Sequence, residues 1–347
     1  MRFTTALALL ASSVLAVPSQ TVKDMNKRDV IVKRADMSET CSVGYCTQNG
    51  GTTGGSGGST TTVSSFAAFT EAAASDDAKI IYIEGTITAA ARVDIASDKT
   101  IVGAFGSLLD GIGLRIQGVS NVILRNVRIT KVLADYGDAV HIQDATNIWV
   151  DHCDLSSDMD NGKDYYDGLL DITHAGDYIS VTNTFFHDHY KASLIGHSDN
   201  NGDEDTGHLR VTYANNYWYN INSRGPSIRF GTLHVAEQSP DYVCMRVREC
   251  SFNSYYLACS GAINTRMGAQ ALVQSTVFDE CGGTVIESSS SDDDGYAVVI
   301  DCDLGDSENE APAGSLTAGS MPYSYSLLGS GSTEAAVYGT AGQTLTF

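Results

Sequence analysis

Basic side chains are scarce in this chain of 347 residues. Twenty-one Lys and Arg stand against 42 Asp and Glu, a formal net charge of −21. So acidic a surface argues against nucleic acid and against an anionic membrane as partners. Long apolar runs are equally rare. The opening MRFTTALALLASSVLAVPSQ has one, too short to span a bilayer, and no later stretch comes close. None of the eight cysteines has zinc-ribbon spacing, so structural zinc is not expected. There is no GxSxG elbow, P-loop or HExxH, and the chemistries that need them have no support. Few helical stretches separate the apolar runs, which disfavours a doubly wound α/β sheet.

What is present begins with export. Arg2, the short apolar run and the small Ala16 read as a signal peptide over residues 1–16. The dibasic pairs Lys27-Arg28 and Lys33-Arg34 follow, so residues 17–34 are expected to be a trimmed pro-segment, with solvated charge pairs as the competing reading. Trimming after Arg34 would remove six of the 21 basic and two of the 42 acidic residues. That leaves 15 against 40, a net charge of −25, which suits a secreted, soluble monomer. Residues 35–347 have the length of one large β domain or two small ones. Cysteines in an exported chain predict disulfides, without saying which pair.

Residues 49–59, NGGTTGGSGGS, have the composition of a linker, with a structured Gly-rich turn as the alternative. Helix formers then run from Ser65 to Ala78, with Ser64 or Ser65 as N-cap. From Lys79 onward short β-branched runs recur. The segments Val122–Ile129, Ile148–Leu155, Ile179–Phe186 and Val211–Trp218 each place apolar residues at their first, third and eighth positions. Their starts lie 26, 31 and 32 residues apart. A fixed phase with variable insertions is what stacked coils produce, because strands stay in register while loops bulge between them. The pattern predicts an all-β chain, a right-handed parallel β-helix with an N-terminal capping helix and long loops on one side. A β-sandwich would leave the in-phase motif unexplained. Cys153, Thr184 and Asn216 share the sixth position, so Cys153 is expected to be a buried member of the stack.

Two chemical constellations stand out. Asp167 and Asp171, in DYYDGLLD, are four apart and share one face of a strand, where like charges are tolerated in solvent or around a cation. Asp138 could add a third carboxylate from the preceding coil, and calcium takes six to eight oxygen ligands. Three solvated acids in an acidic protein are the plainer alternative. Lys191, Arg224 and Arg229, the last two flanking a Gly-Pro bend in RGPSIR, gather positive charge where it is otherwise sparse and form a candidate anion subsite. Neutralisation of surface acids is the plainer alternative. His187, His189 and His197 are read as satisfied polar residues of turns and ladders.

At these residues the chain resembles the secreted fungal pectate lyases of polysaccharide lyase family one. The segments that carry the resemblance are Trp149–His152, Asp167–Asp171, Leu194–Asp199, Arg224–Gly231 and Ile263–Ala269, with further likeness from about Val43 to Pro322–Tyr325 and Ala341–Leu345. The resemblance implies a parallel β-helix and calcium held by Asp138, Asp167 and Asp171. It implies binding of substrate carboxylates by Lys191 and Arg229, and Arg224 as Brønsted base. Some members carry a further acid where this chain has Tyr136, so the three-acid site is expected. Retention of the acids separates the chain from the related pectin lyases. The implied reaction is β-elimination on polygalacturonate, giving 4,5-unsaturated oligogalacturonates. Arginine surrenders its proton only in strong base, so an alkaline optimum is expected. A polygalacturonase-like hydrolase, a pectin lyase and an inactive carbohydrate-binding homologue are the alternatives. One departure interrupts the likeness: Ala236–Phe252, AEQSPDYVCMRVRECSF, lacks strand alternation and delays Asn253-Ser-Tyr-Tyr256. It reads as a translated, unspliced intron, with a genuine loop insertion as the alternative.

Overall fold

The recurrent motif is the architecture. In a computed structural model, which describes residues 20–23, 29–236 and 254–347, the starts of the four motif copies lie side by side. Val122 pairs with Ile148, Ile148 with Ile179 and Ile179 with Val211, all in parallel ladders. The fifth position explains why each copy turns where it does. Asn126, His152, Asn183 and Asn215 all have φ near +50° to +57°, a left-handed conformation that Asn tolerates better than most residues. Each such corner turns the chain from one face of the column to the next. The sixth position then points inward, and Cys153, Thr184 and Asn216 are all buried, as expected. The eighth position builds an aromatic pile: Phe186 stacks on Trp218 at 4.1 Å, Trp218 on Tyr256 at 5.5 Å, and Tyr256 on Phe278 at 4.7 Å. Truncating a side chain in such a pile costs about 3–5 kcal/mol.

The strands form three faces of a parallel β-helix. One is a ten-stranded sheet from Ser59–Val63 to Tyr296–Ile300. The other two belong to one fifteen-stranded network, joined at the long strand Leu108–Gln117. Its first half pairs with Arg128–Thr130 and its second with Val140–Gln143. The second face continues through Phe185–Lys191 and Tyr217–Ser223. The third runs through Leu170–Thr173, Leu194–Ile195, Ser227–Arg229 and Ile263–Arg266. The two long connections 157–169 and 196–209 both leave the column beside this third face.

Helix Phe66–Ala73 caps the column. The Ser65 side chain accepts from the Ala68 N–H, and Phe69, Ala72 and Ala73 are buried in the core. It is shorter than the run of helix formers to Ala78, and the chain enters the next strand at Lys79. The Gly-rich segment is not a linker. A Cβ on Gly55 would lie 2.0 Å from the Lys79 carbonyl oxygen, and Asn121 Oδ1 accepts from the N–H groups of Thr53 and Gly54 at 2.7 Å. Glycine is used there because the backbone lies directly against the first coils. Asp29–Arg34, inside the expected pro-segment, pairs in parallel with Leu345–Thr346. Cleavage after Arg34 would therefore remove a paired strand. Among the described residues one disulfide joins Cys41 and Cys46, whereas Cys153, Cys259, Cys281 and Cys302 are thiols.

Most of the interrupting block Ala236–Phe252 lies outside the described residues, but its flanks are informative. Ala214 pairs with Ala236, and Tyr217 with Tyr255. In the earlier coil two residues, Asn215 and Asn216, span that corner. The excess chain thus enters between the ten-stranded sheet and the second face, not on the strand that carries Arg229. A variant lacking 237–252 is expected to fold with a thermal midpoint at or above that of the full chain and to keep its activity. Thermal melts and product assays on the two proteins check this; a deletion variant that is insoluble would show the segment to be needed.

Candidate active site

On the third face, side chains alternate between core and solvent. Val140, Ile142, Leu170, Ile172, Ile195 and Ile228 are buried inward, so His141, Asp171 and Arg229 face out. Asp138 precedes the strand Val140–Gln143. Its Oδ1 accepts the Gly168 N–H at 2.8 Å, and its Oδ2 lies 2.7 Å from His141 Nδ1. Asp171 sits one coil on and accepts the Leu194 N–H at 3.0 Å. Both carboxylates are buried, 5% and 6% exposed. They converge over Gly168: a Cβ there would meet Asp171 Oδ1 at 2.4 Å and Asp138 Oδ1 at 2.8 Å. Burial and then the neighbouring Asp138 charge push Asp171 well above the usual carboxylate range, with Arg224 pulling the other way. Two buried like charges are costly unless something positive joins them.

Asp167 lies close by but turns to Lys191, whose Nζ is 3.2 Å from Asp167 Oδ1 and 3.2 Å from Asp164 Oδ1. Its carbonyl oxygen accepts from His189 Nε2 at 2.6 Å, while His189 Nδ1 lies 2.6 Å from Ser157 Oγ. Burial lowers His189 to about 4. The ring is therefore neutral, with the proton on Nε2 and the Ser157 hydroxyl donating to Nδ1. This histidine positions the backbone next to Asp167, in keeping with its reading as a satisfied polar residue. Among the described residues, no three acidic, histidine or cysteine side chains converge as a ready-made metal cage; Asp138 and Asp171 do come together.

Arg224 occupies the corner between Tyr217–Ser223 and Ser227–Arg229, with φ 61°. Its carbonyl accepts the Ser193 N–H at 2.7 Å. Among the described residues its guanidinium enters no ion pair, yet it is near enough to bear on Asp171. Lys191 pairs with Ser223, the residue before it. Arg229 gives its Nε–H to Asp199 Oδ1 at 2.5 Å and an Nη1–H to the Gly196 carbonyl at 2.9 Å. The acids and the cations thus share one edge of the column.

The parallel β-helix that carries these residues is matched by comparison with known proteins. A family model described as pectate lyase matches residues 5–344. The chain belongs to the pectate lyase family. A probable pectate lyase A of Aspergillus niger is 55% identical over 344 residues, covering 99% of this chain and 97% of that protein. Pectate lyase plyB of Emericella nidulans is 51% identical over 348 residues, covering 99% and 100%. Among solved structures, a pectate lyase from Bacillus sp. N165, in complex with trigalacturonate, superposes with a TM-score of 0.74 at 28% identity. It covers 88% of this chain and 99% of that one. This pectate lyase is accordingly a polysaccharide lyase that cleaves pectate by elimination.

The Trp149–His152 segment of the pectate lyase is elsewhere, on the ten-stranded sheet. Asp151 is wholly buried there, which opposes its charge, yet His152, Arg125 and Asn183 hold it well below the usual range. Arg125 lies 3.1 Å from Asp151 and 2.6 Å from Glu39, so this network ties the N-terminal segment to the coils. Sequence reasoning gave no role to Asp199 or Arg266, although both lie in segments that carried the family resemblance.

Proposed function

We propose that the chain is an exported, calcium-dependent pectate lyase acting on de-esterified pectin, with Arg224 as base. The observation that carries this reading is the buried Asp138–Asp171 pair beside Arg224. The donors are hard carboxylate oxygens, suited to calcium, and Asp167 is near enough to join them. Bound by Asp138, Asp171 and Asp167, calcium would neutralise the uronate carboxylate and acidify the proton on the carbon next to it. Lys191 holds carboxylates of the chain itself, which a polyanionic substrate can replace, and Arg229 adds a second cation on the same edge. In the proposed roles they orient the sugar so that its C5–H faces Arg224. Deprotonated at alkaline pH, Arg224 takes that proton, the electron pair closes the C4–C5 double bond, and the O4 glycosidic oxygen departs and takes up a proton from water. Export is supported by the basic and apolar opening of the chain, and among the described residues no helix is long and apolar enough to cross a membrane.

The test is release of unsaturated product from polygalacturonate, followed by its ultraviolet absorbance. A chelator is expected to abolish the signal and added calcium to restore it, with the rate rising toward alkaline pH. Activity untouched by chelation would overturn the calcium reading. Reducing ends formed without absorbance would indicate a hydrolase instead.

A further inference from the structure

Three segments that the elimination chemistry leaves without a role meet at Arg229: Leu194–Asp199, Ile263–Ala269 and the run SSSSDDDG at 288–295. Asp199 Oδ1 takes the Arg229 Nε–H, and the same oxygen accepts the Ser291 hydroxyl at 2.9 Å. Asp199 Oδ2 accepts the Asp292 N–H at 3.2 Å. The loop that supplies these groups is itself tied down. Met267 and Gly268 donate to the carbonyls of Asp293 and Asp294 at 2.8 Å, and Ser288 Oγ accepts the Gly295 N–H at 2.9 Å. Arg266, in register with Arg229 on the next coil, closes the ring. Its Nη2 donates to Ser227 Oγ at 2.5 Å, and its Nη1 lies 3.5 Å from the Ser290 carbonyl.

We propose that Asp199, held by the Ser291–Asp292 turn and backed by Arg266, is a positioning residue that fixes the Arg229 guanidinium and thereby sets the grip on an ionised uronate. This rests on the reading of Arg229 as the ligand of a substrate carboxylate. An exposed ion pair would carry no such role. Here, however, the Arg229 and Asp199 side chains are only 10% and 21% exposed, and each has further bonded partners. A guanidinium is planar, so pinning Nε to Asp199 and Nη1 to the Gly196 carbonyl fixes its plane. The N–H groups left over, one on Nη1 and two on Nη2, can meet a ligand without a search through rotamers, and preorganisation of that kind is felt in binding. A clamp of this type acts on the ground-state complex and the transition state alike, so it should show in KM and not in kcat.

The experiment compares the parent with Asp199→Ala, Asp199→Asn and Ser291→Ala on polygalacturonate at saturating calcium, with trigalacturonate binding measured by calorimetry. Asp199→Ala is expected to raise KM about tenfold with kcat within about twofold, and to weaken trigalacturonate binding to a similar degree. Asp199→Asn keeps an acceptor for the Arg229 Nε–H and should recover much of the loss. Ser291→Ala should raise KM about two- to threefold. Kinetics and binding equal to the parent in Asp199→Ala would overturn the clamp. So would a fall in kcat with KM unchanged, or a loss that Asn fails to rescue alongside a lower melting temperature. If the parent itself releases no unsaturated product, the elimination reading fails; calorimetry still decides the clamp, equal affinities refuting it and weakened binding by Asp199→Ala supporting it.

Discussion

Replacing Arg224 with alanine is expected to lower turnover of polygalacturonate at least ~10³-fold, within the range for loss of a general base. The expectation follows from where the residue stands. Its guanidinium makes no ion pair among the described residues, so little structure is lost with it. The bond from Ser193 N–H goes to its backbone carbonyl, which alanine retains. The melting temperature and KM should therefore move little while kcat collapses. Steady-state kinetics and a thermal melt on the purified variant check both halves. A variant as active as the parent would refute Arg224 as the base.

Asp171→Asn should separate metal binding from folding. Burial and Asp138 raise the folded-state value for Asp171 above that of the unfolded chain, near ~4. Stability therefore falls as pH climbs from the unfolded value to the raised folded one, and the deficit is complete above the latter. Asparagine keeps the acceptor for the Leu194 N–H and removes the charge. In the presence of a chelator the variant is thus expected to melt several degrees above the parent at about pH 8, a gap that closes toward about pH 4. Added calcium should raise the melting temperature of the parent and not of the variant, and activity should fall at least ~100-fold. A metal-free variant less stable than the parent at alkaline pH would show that the Asp138–Asp171 repulsion is not felt.

The middle coils were legible in sequence because their first positions are apolar, Val122, Ile148, Ile179 and Val211, and the structure stacks all four. The N-terminal coils, legible as β-branched runs from Lys79 onward, did not show that motif. There Ser59, Lys79 and Lys99 hold the same position. Lys99 is buried with its ammonium donating to the carbonyls of Asp77 and Ser97. A polar residue whose partners come from neighbouring turns carries no periodic signal. The linker reading of 49–59 failed for a related reason, since composition does not reveal which glycines lie against another backbone. In the site, the acids and cations could be named from type and spacing. Their partners could not: Ser291 reaches Asp199 across 92 residues of sequence, a distance no local pattern spans.

The left-handed corners at Asn126, His152, Asn183 and Asn215 have a consequence for how the chain tolerates change. Each turn of the spiral sets its own phase, so an error in one does not propagate to the next. The coil before the atypical segment and the coil after it keep the same alignment, Ala214 with Ala236 and Tyr217 with Tyr255. Foreign peptides grafted at such an elbow would be carried as passengers, and the catalytic edge, built from a different side of the spiral, would not register them.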